Sequence, residues 1–171
     1  MKDTALIIID IQNDYFAQGK FPLADSDTVL TRIMQLANQA ISASMPVILV
    51  QHIGSPGGPF FNPDNEGTEI HPQLKQMLAD APVITKQHAD AFWQTDLSST
   101  LEELQIQNLV ICGMMTQNCV THTAISTAAD KYQVAVVADC CTTVSTLLHQ
   151  IALAALKPRI ELLESHDIFA G

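Results

Sequence analysis

Three side chains in this chain could share one piece of chemistry: Asp10, Lys86 and Cys119. Each follows a short apolar run of the kind that forms a buried strand. Asp10 ends Ala5 to Ile9, Lys86 ends Pro82 to Thr85, and Cys119 lies beyond Leu109 to Cys112. A cysteine attacks as thiolate, and a nearby ammonium together with a helix N-terminus favours that form. A carboxylate can take the thiol proton and return it to a leaving amine. The set therefore suggests nucleophilic acyl transfer, with a depressed thiol pKa expected at Cys119. Singly the signals are soft, since an Asp at a strand end often caps a turn and a lone Cys is often a small core residue.

Positioning these groups falls to six short, mostly β-branched runs, completed by Pro46 to Val50, Val134 to Ala138 and Ile160 to Leu163. They read as buried parallel strands. Helical periodicity fills the intervals. Val29, Leu30, Ile33, Met34, Ala37, Ala40 and Ile41 share a face behind the cap candidates Asp25-Ser26-Asp27. A helix should start near Pro72 and bury Leu74, Met77 and Leu78; others carry Leu97, Leu101 and Leu104, then Cys119 to Lys131, then Thr146 to Leu156. Strand and helix alternate throughout, which predicts an α/β fold: an open, doubly wound three-layer sandwich on a six-stranded, mainly parallel sheet. In such sheets reactive groups gather beyond the carboxyl ends of the strands.

The 171 residues fit one domain spanning 1–171. The net charge of −10 repels phosphate backbones and anionic lipid, so neither nucleic acid nor membrane is expected as a partner. Charged residues are sparse at 15%, which hints at a subunit interface. The opening apolar run stops at Asp10, too short for a signal peptide or span, so a cytoplasmic location is expected. Cys112, Cys119, Cys140 and Cys141 lack zinc-ribbon or disulfide-framework spacing and are expected as free thiols. Gly54 to Pro63 reads as a long loop.

Four blocks resemble the isochorismatase-like cysteine hydrolases, a family that includes nicotinamidases, N-carbamoylsarcosine amidases and ureidoacrylate amidohydrolases. They are Leu6 to Tyr15 (LIIIDIQNDY), Gly67 to Pro72 (GTEIHP), Lys86 with Ala91-Phe92 and Thr95-Asp96-Leu97, and Val110 to Val120 (VICGMMTQNCV). The resemblance implies a catalytic triad of Asp10, Lys86 and Cys119 that cleaves an amide through a thioester. It implies a cis bond between Met114 and Met115, an oxyanion hole from the amides of Met115 and Cys119, a small-molecule substrate and a homo-oligomer. Gln12, Tyr15, His52, Glu69, Phe92 and Met114 become the pocket candidates, with Gln12 and Asn13 expected to brace the loop. Phe92 and Trp93 are candidates for the far wall.

Departures from the family narrow the reading. Nicotinamidases hold a divalent metal with an Asp-x-His pair after the second strand, and here that place reads Gln51-His52-Ile53. No metal and no cofactor are therefore expected, although His52, His71 and His88 remain a conceivable set; His122, His149 and His166 read as helix-surface or tail residues. True isochorismatases lack the cysteine. The leading expectation is a metal-independent C–N hydrolase acting on a small amide, ureido or carbamoyl compound. Alternatives are a metal-assisted nicotinamidase and a non-catalytic binding protein on the same scaffold. With Lys86 engaged, the pocket blocks offer only Lys20 as a further cation, so a neutral or singly charged substrate is expected.

Overall fold

The computed structural model describes residues 3–169. Its centre is a six-stranded sheet, with every adjacent pair parallel, in the order β3-β2-β1-β4-β5-β6. The strands are β1 (Thr4–Ile9), β2 (Val47–His52), β3 (Val83–Lys86), β4 (Asn108–Met114), β5 (Gln133–Thr142) and β6 (Glu161–Leu163). Parallel neighbours need crossovers, and the central apolar runs are continuous because helices cover the sheet's faces; the edge strands β3 and β6 depart from the expected burial, with Val83, Thr85 and Glu161 exposed. β1 shows it most plainly, with Ala5 to Ile9 all buried.

The crossovers include α1 (Ser26–Ser42), α2 (Pro72–Met77), α3 (Leu97–Glu103), α4 (Thr121–Ala124) and α5 (Thr146–Leu156). α1 buries Val29, Leu30, Ile33, Ala37 and Ala40 as expected, together with Leu36, but Ile41, expected on the same face, is exposed and Met34 is only partly buried. Its N-cap Asp25 takes a left-handed conformation and makes no side-chain cap bond. Ser145 caps α5 by accepting from the Leu148 N–H, and the outward residues Val144, Leu147 and Ile151 stay exposed.

One expected helix is replaced by something else. In place of a helix over Cys119 to Lys131, a π-helical turn spans Thr116–Val120, the four residues of α4 follow, and a 3₁₀ turn covers Thr127–Ala129. Ser126 ends α4 and uses its hydroxyl to accept from Ala128 N–H, starting the new turn. Cys119 thus sits in a wide turn bridging strand and helix, a type of turn frequent at functional sites.

The chain runs β1, β2, β3 outward to one side, then returns so that β4 lies against β1. Direction switches at β1/β4, where the carboxyl ends open a crevice. Gly113 makes the approach possible. It pairs with Ile9 at φ +129, and a Cβ there would fall 2.1 Å from the Ile9 carbonyl oxygen. β4 and β5 shift register between Ile111 and Gly113, and the next bond, Met114–Met115, is cis.

Candidate active site

Asp10 is the first residue past β1 and turns sharply out of the sheet at φ 53, a left-handed conformation that Asp tolerates better than most residues. Its N–H donates to Val50, and its carbonyl accepts from Gln12 N–H. Lys86 is the last residue of β3, and Cys119 stands in the π turn after β4. The structure brings the three together in a fully buried cluster. Lys86 Nζ donates to Asp10 Oδ2 at 2.8 Å and to Cys119 Sγ at 3.2 Å. The side chains of Asp10 and Lys86 have no exposure, and Cys119 is buried.

Burial lowers the pKa of Lys86, but the Asp10 carboxylate and Cys119 more than offset it, so the lysine stays an ammonium. Cys119 corrects an expectation. Its thiol pKa is raised, first by burial and then by the Asp10 charge, and the pull of Lys86 does not overcome them. The resting group is the thiol and not a thiolate. Asp10 Oδ1 is buried and without a hydrogen-bond partner, and Cys119 Sγ lies within 4.8 Å of an Asp10 oxygen. A vacant carboxylate acceptor therefore faces a protonated nucleophile.

His52 joins this group, its Nδ1 2.9 Å from Lys86 Nζ. Burial and the Lys86 charge hold its pKa below the usual histidine value. Among the described residues, Asp10, His52 and Cys119 are the one group of three that offers convergent metal-ligand atoms. His71 instead packs against Phe16, and His88 faces Gln94 and Trp93. The donor set does not fit a resident metal, because Lys86 Nζ already stands within 3.2 Å of atoms from all three residues. A cation there would have to displace the ammonium.

The pocket candidates divide. Gln12 is fully buried and spends its side chain on backbone, donating to His52 and Thr68 carbonyls and accepting from His52 N–H. It braces the site and leaves nothing for a ligand. Glu69 leaves the pocket: its carbonyl accepts from Asn13 N–H, while its carboxylate turns out to Lys75 at 2.9 Å. Residues 66–71 lie along 11–13 as a strap, with Gln12 and Ile70 bridged, and this orientation sends the Glu69 side chain to solvent. Phe92 stacks on Tyr132, ring centroids 6.2 Å apart, as a core aromatic, and Trp93 is 60% exposed. The Trp93 ring lies 5.9 Å from that of His88. Met114 and Met115 are buried on either side of the cis bond.

Tyr15 does line the site. It is buried, and its pKa is raised by burial, then by the charges of Asp10 and Cys119. The rings beside it are Phe60 and Phe61, at 5.8 and 4.6 Å, and Phe61 reaches to 5.8 Å from the His52 ring. Both phenylalanines come from the Gly54 to Pro63 loop, which folds onto its own chain through Gly54 N–H to the Phe61 carbonyl and Gly57 N–H to Asn62 Oδ1.

Sequence reasoning also missed Asp14. Buried, it accepts from the Lys20 and Phe61 N–H groups at 3.1 and 2.7 Å, pinning the aromatic loop. A Cβ on Gly67 would come within 2.1 Å of Asp14 Oδ1, so that glycine lets the strap close over it. Its place in the first sequence block was the available signal, but its partner lies 47 residues away. A cleft of about 270 Å³ lined by Ile53, Thr85, Lys86, Gln87, His88 and Gln94 lies at the end of β3, without Asp10 or Cys119 in its lining.

Comparison with known proteins bears on family and fold. The family model for the isochorismatase domain matches residues 4–167. The uncharacterised isochorismatase family protein YddQ of Bacillus subtilis is 38% identical over 141 residues, covering 82% of this chain and 78% of its own length. Ureidoacrylate amidohydrolase RutB of Stutzerimonas stutzeri is 30% identical over 154 residues, 71% of this chain and 62% of that protein. An isochorismatase-type hydrolase structure from Oleispira antarctica superposes with a TM-score of 0.90 at 28% identity, covering 99% of this chain and 97% of the other. No helix among the described residues is long and apolar enough to cross a membrane.

Proposed function

The chain belongs to the isochorismatase family of hydrolases, and we propose that within it this protein is a metal-independent cysteine amidohydrolase that cleaves a C–N bond of a small amide, ureido or carbamoyl compound. The observation that carries the reading is a single buried ammonium, Lys86, held between a carboxylate and a thiol at the sheet's switch point. Similarity to a ureidoacrylate amidohydrolase supports the substrate class.

The steps follow from where the protons sit. As Cys119 Sγ attacks the carbonyl carbon, its proton passes to Asp10, whose Oδ1 is the acceptor left open. Lys86 stays charged and stabilises the thiolate as it forms, so the energetic cost of a standing buried anion is avoided. The amides of Met115 and Cys119 are the proposed donors to the tetrahedral oxyanion. Asp10 then gives its proton to the departing nitrogen, leaving a thioester. Water attacks that thioester with Asp10 as base, releasing the acid and returning the proton to sulfur.

Lining and charge restrict the substrate. Tyr15, buried near Asp10 and Cys119, and the Phe60 and Phe61 rings packed on it give the site an aromatic side. Lys20 is exposed and its backbone N–H donates to Asp14, so among the described residues no cation besides Lys86 is found against Asp10 or Cys119 to meet a dianion. A neutral or singly charged amide fits. The test is hydrolysis of a panel of small amides, ureides and carbamoyl compounds, read by ammonia release and by the mass of a Cys119 acyl adduct. Activity that a chelator abolishes and a divalent metal restores, or efficient turnover of isochorismate, would overturn the reading.

A further inference from the structure

We propose that His52 is a positioning residue of this site: its Nδ1 takes the third N–H of the Lys86 ammonium and so fixes the lysine on Asp10 and Cys119. The inference rests on the amidohydrolase reading and adds a fourth member to its machinery.

An ammonium has three N–H donors and no acceptor. Around Lys86 Nζ stand three acceptors, Asp10 Oδ2 at 2.8 Å, His52 Nδ1 at 2.9 Å and Cys119 Sγ at 3.2 Å. The lysine side chain has no exposure, and each of its three donors is met by a protein acceptor. Two acceptors leave a four-carbon stem free to pivot about the line between them. A third removes that freedom.

The fold builds this contact in. β2 and β3 pair in parallel with His52 directly against Lys86 in the register. Gln12, two residues beyond Asp10, grips both backbone groups of His52: its Oε1 accepts from the His52 N–H and its Nε2 donates to the His52 carbonyl, each at 2.8 Å. The turn carrying the base thus holds the residue that holds the lysine. For Nδ1 to accept, the imidazole must be neutral with its proton on Nε2. Burial and the Lys86 charge favour the neutral ring, against the pull of the Asp10 charge. The titratable groups facing His52 are Asp10 from the β1 turn, Lys86 at the end of β3, His88 beyond it, and Cys119 from the π turn. Protonation of His52 would set a second cation against Lys86 and remove the acceptor.

The experiment reads the thiol directly and needs no substrate. Wild type, His52→Leu and His52→Asn are alkylated with iodoacetamide between pH 5 and 9, and modification of each cysteine is followed by peptide mass. Asparagine keeps an oxygen close to where Nδ1 stands but does not titrate. At pH 7 Cys119 labelling should fall about 10- to 100-fold in His52→Leu, the scale expected for a misplaced group, and stay within about threefold of wild type in His52→Asn. An acid-side inflection present in wild type should disappear in His52→Asn. With a substrate from the panel, kcat should follow the same order and KM should change little. If wild-type Cys119 labels no faster than Cys140, the activated-nucleophile reading fails and takes this inference with it. If wild-type Cys119 is selectively labelled and both variants match it in rate and pH profile, His52 has no positioning role while the amidohydrolase reading survives. Should the leucine variant not fold, as read by circular dichroism, the asparagine variant decides alone: an unchanged acid inflection overturns the inference.

Discussion

Two groups of thiols sit in this core and differ in almost nothing but their partners. Cys112 on β4 and Cys140 and Cys141 on β5 cluster on one part of the sheet, and Cys119 stands in the π turn at its carboxyl edge. All four are free and buried. Burial pushes every one of them up, Cys141 to about 12. Depth therefore makes thiols inert in both places. Only Cys119 has a fixed ammonium at 3.2 Å and a carboxylate oxygen with nothing to accept. On the mechanism we propose, its reactivity is a matter of transferring a proton at the moment of attack, and the other three cysteines have no such pair of partners.

The sharpest way to break the comparison is to remove one thiol from each group. Cys119→Ala should reduce ammonia release to background, whereas Cys140→Ala should leave kcat within about twofold once its stability loss is allowed for. Asp10→Asn keeps the shape but not the base, and kcat should drop roughly 100-fold or more with KM little altered. Near-normal turnover in Asp10→Asn would remove the distinction between the two groups.

Next in size is the ion pair that the cysteine cluster lacks. Lys86→Met strands the Asp10 carboxylate in a site with no solvent, and breaking a buried pair from one side costs about 3 to 5 kcal/mol. Its urea midpoint should fall accordingly, and Asp10→Asn in the same chain should recover much of the loss. The double variant remains inactive. If Lys86→Met unfolds like the wild type, the pair is not desolvated as described.

How much of this could be seen in the sequence depends on whether the signal was local. The strands were legible because each is a continuous apolar run between polar ends, and α5 was legible to its terminal residues, Thr146 and Leu156. The triad's convergence followed from the rule for parallel sheets. What stayed hidden depends on contacts distant in sequence. Cys119 to Lys131 looks helical by composition, yet Thr116 hydrogen-bonds to His149 from α5 at 2.9 Å and the chain breaks at Ser126. The lowered thiol pKa failed for a similar reason: helix and lysine were visible, and the depth of burial was not. Phe60 and Phe61 reach the site because Asp14 fastens their loop.

A pH dependence of stability separates the two regions more gently. Burial, as the leading cause, lowers the pKa of His52, His71 and His149, so each binds its proton less readily folded than unfolded. The stability that goes with neutral rings is complete above the unfolded value of about 6.5 and declines as pH falls through it toward the folded values. Urea midpoints should decrease from pH 7.5 to 5.5. His149 lies beside Cys141 and His52 beside Lys86, so His52→Asn should flatten the trend in part, and Cys140→Ala, which removes no histidine, should not change its slope.

The smallest expected effect belongs to the residue that sequence placed at the site and the fold turned away. Glu69 pairs with Lys75 at 2.9 Å, but both side chains are more than half exposed. Water screens such a pair, and holding two long side chains together offsets much of the attraction, leaving about 0.2 to 1 kcal/mol. What Glu69 does contribute to the site is its carbonyl, which accepts from Asn13 N–H and helps hold the strap along the Asp10 loop. A side-chain change leaves that bond in place. Glu69→Gln should therefore shift the urea midpoint barely beyond error, an effect that shrinks further in high salt, and leave both kcat and KM unchanged for any amide the enzyme hydrolyses. A KM raised several-fold would mean that the carboxylate turns inward when substrate binds and that the strap forms part of the substrate site.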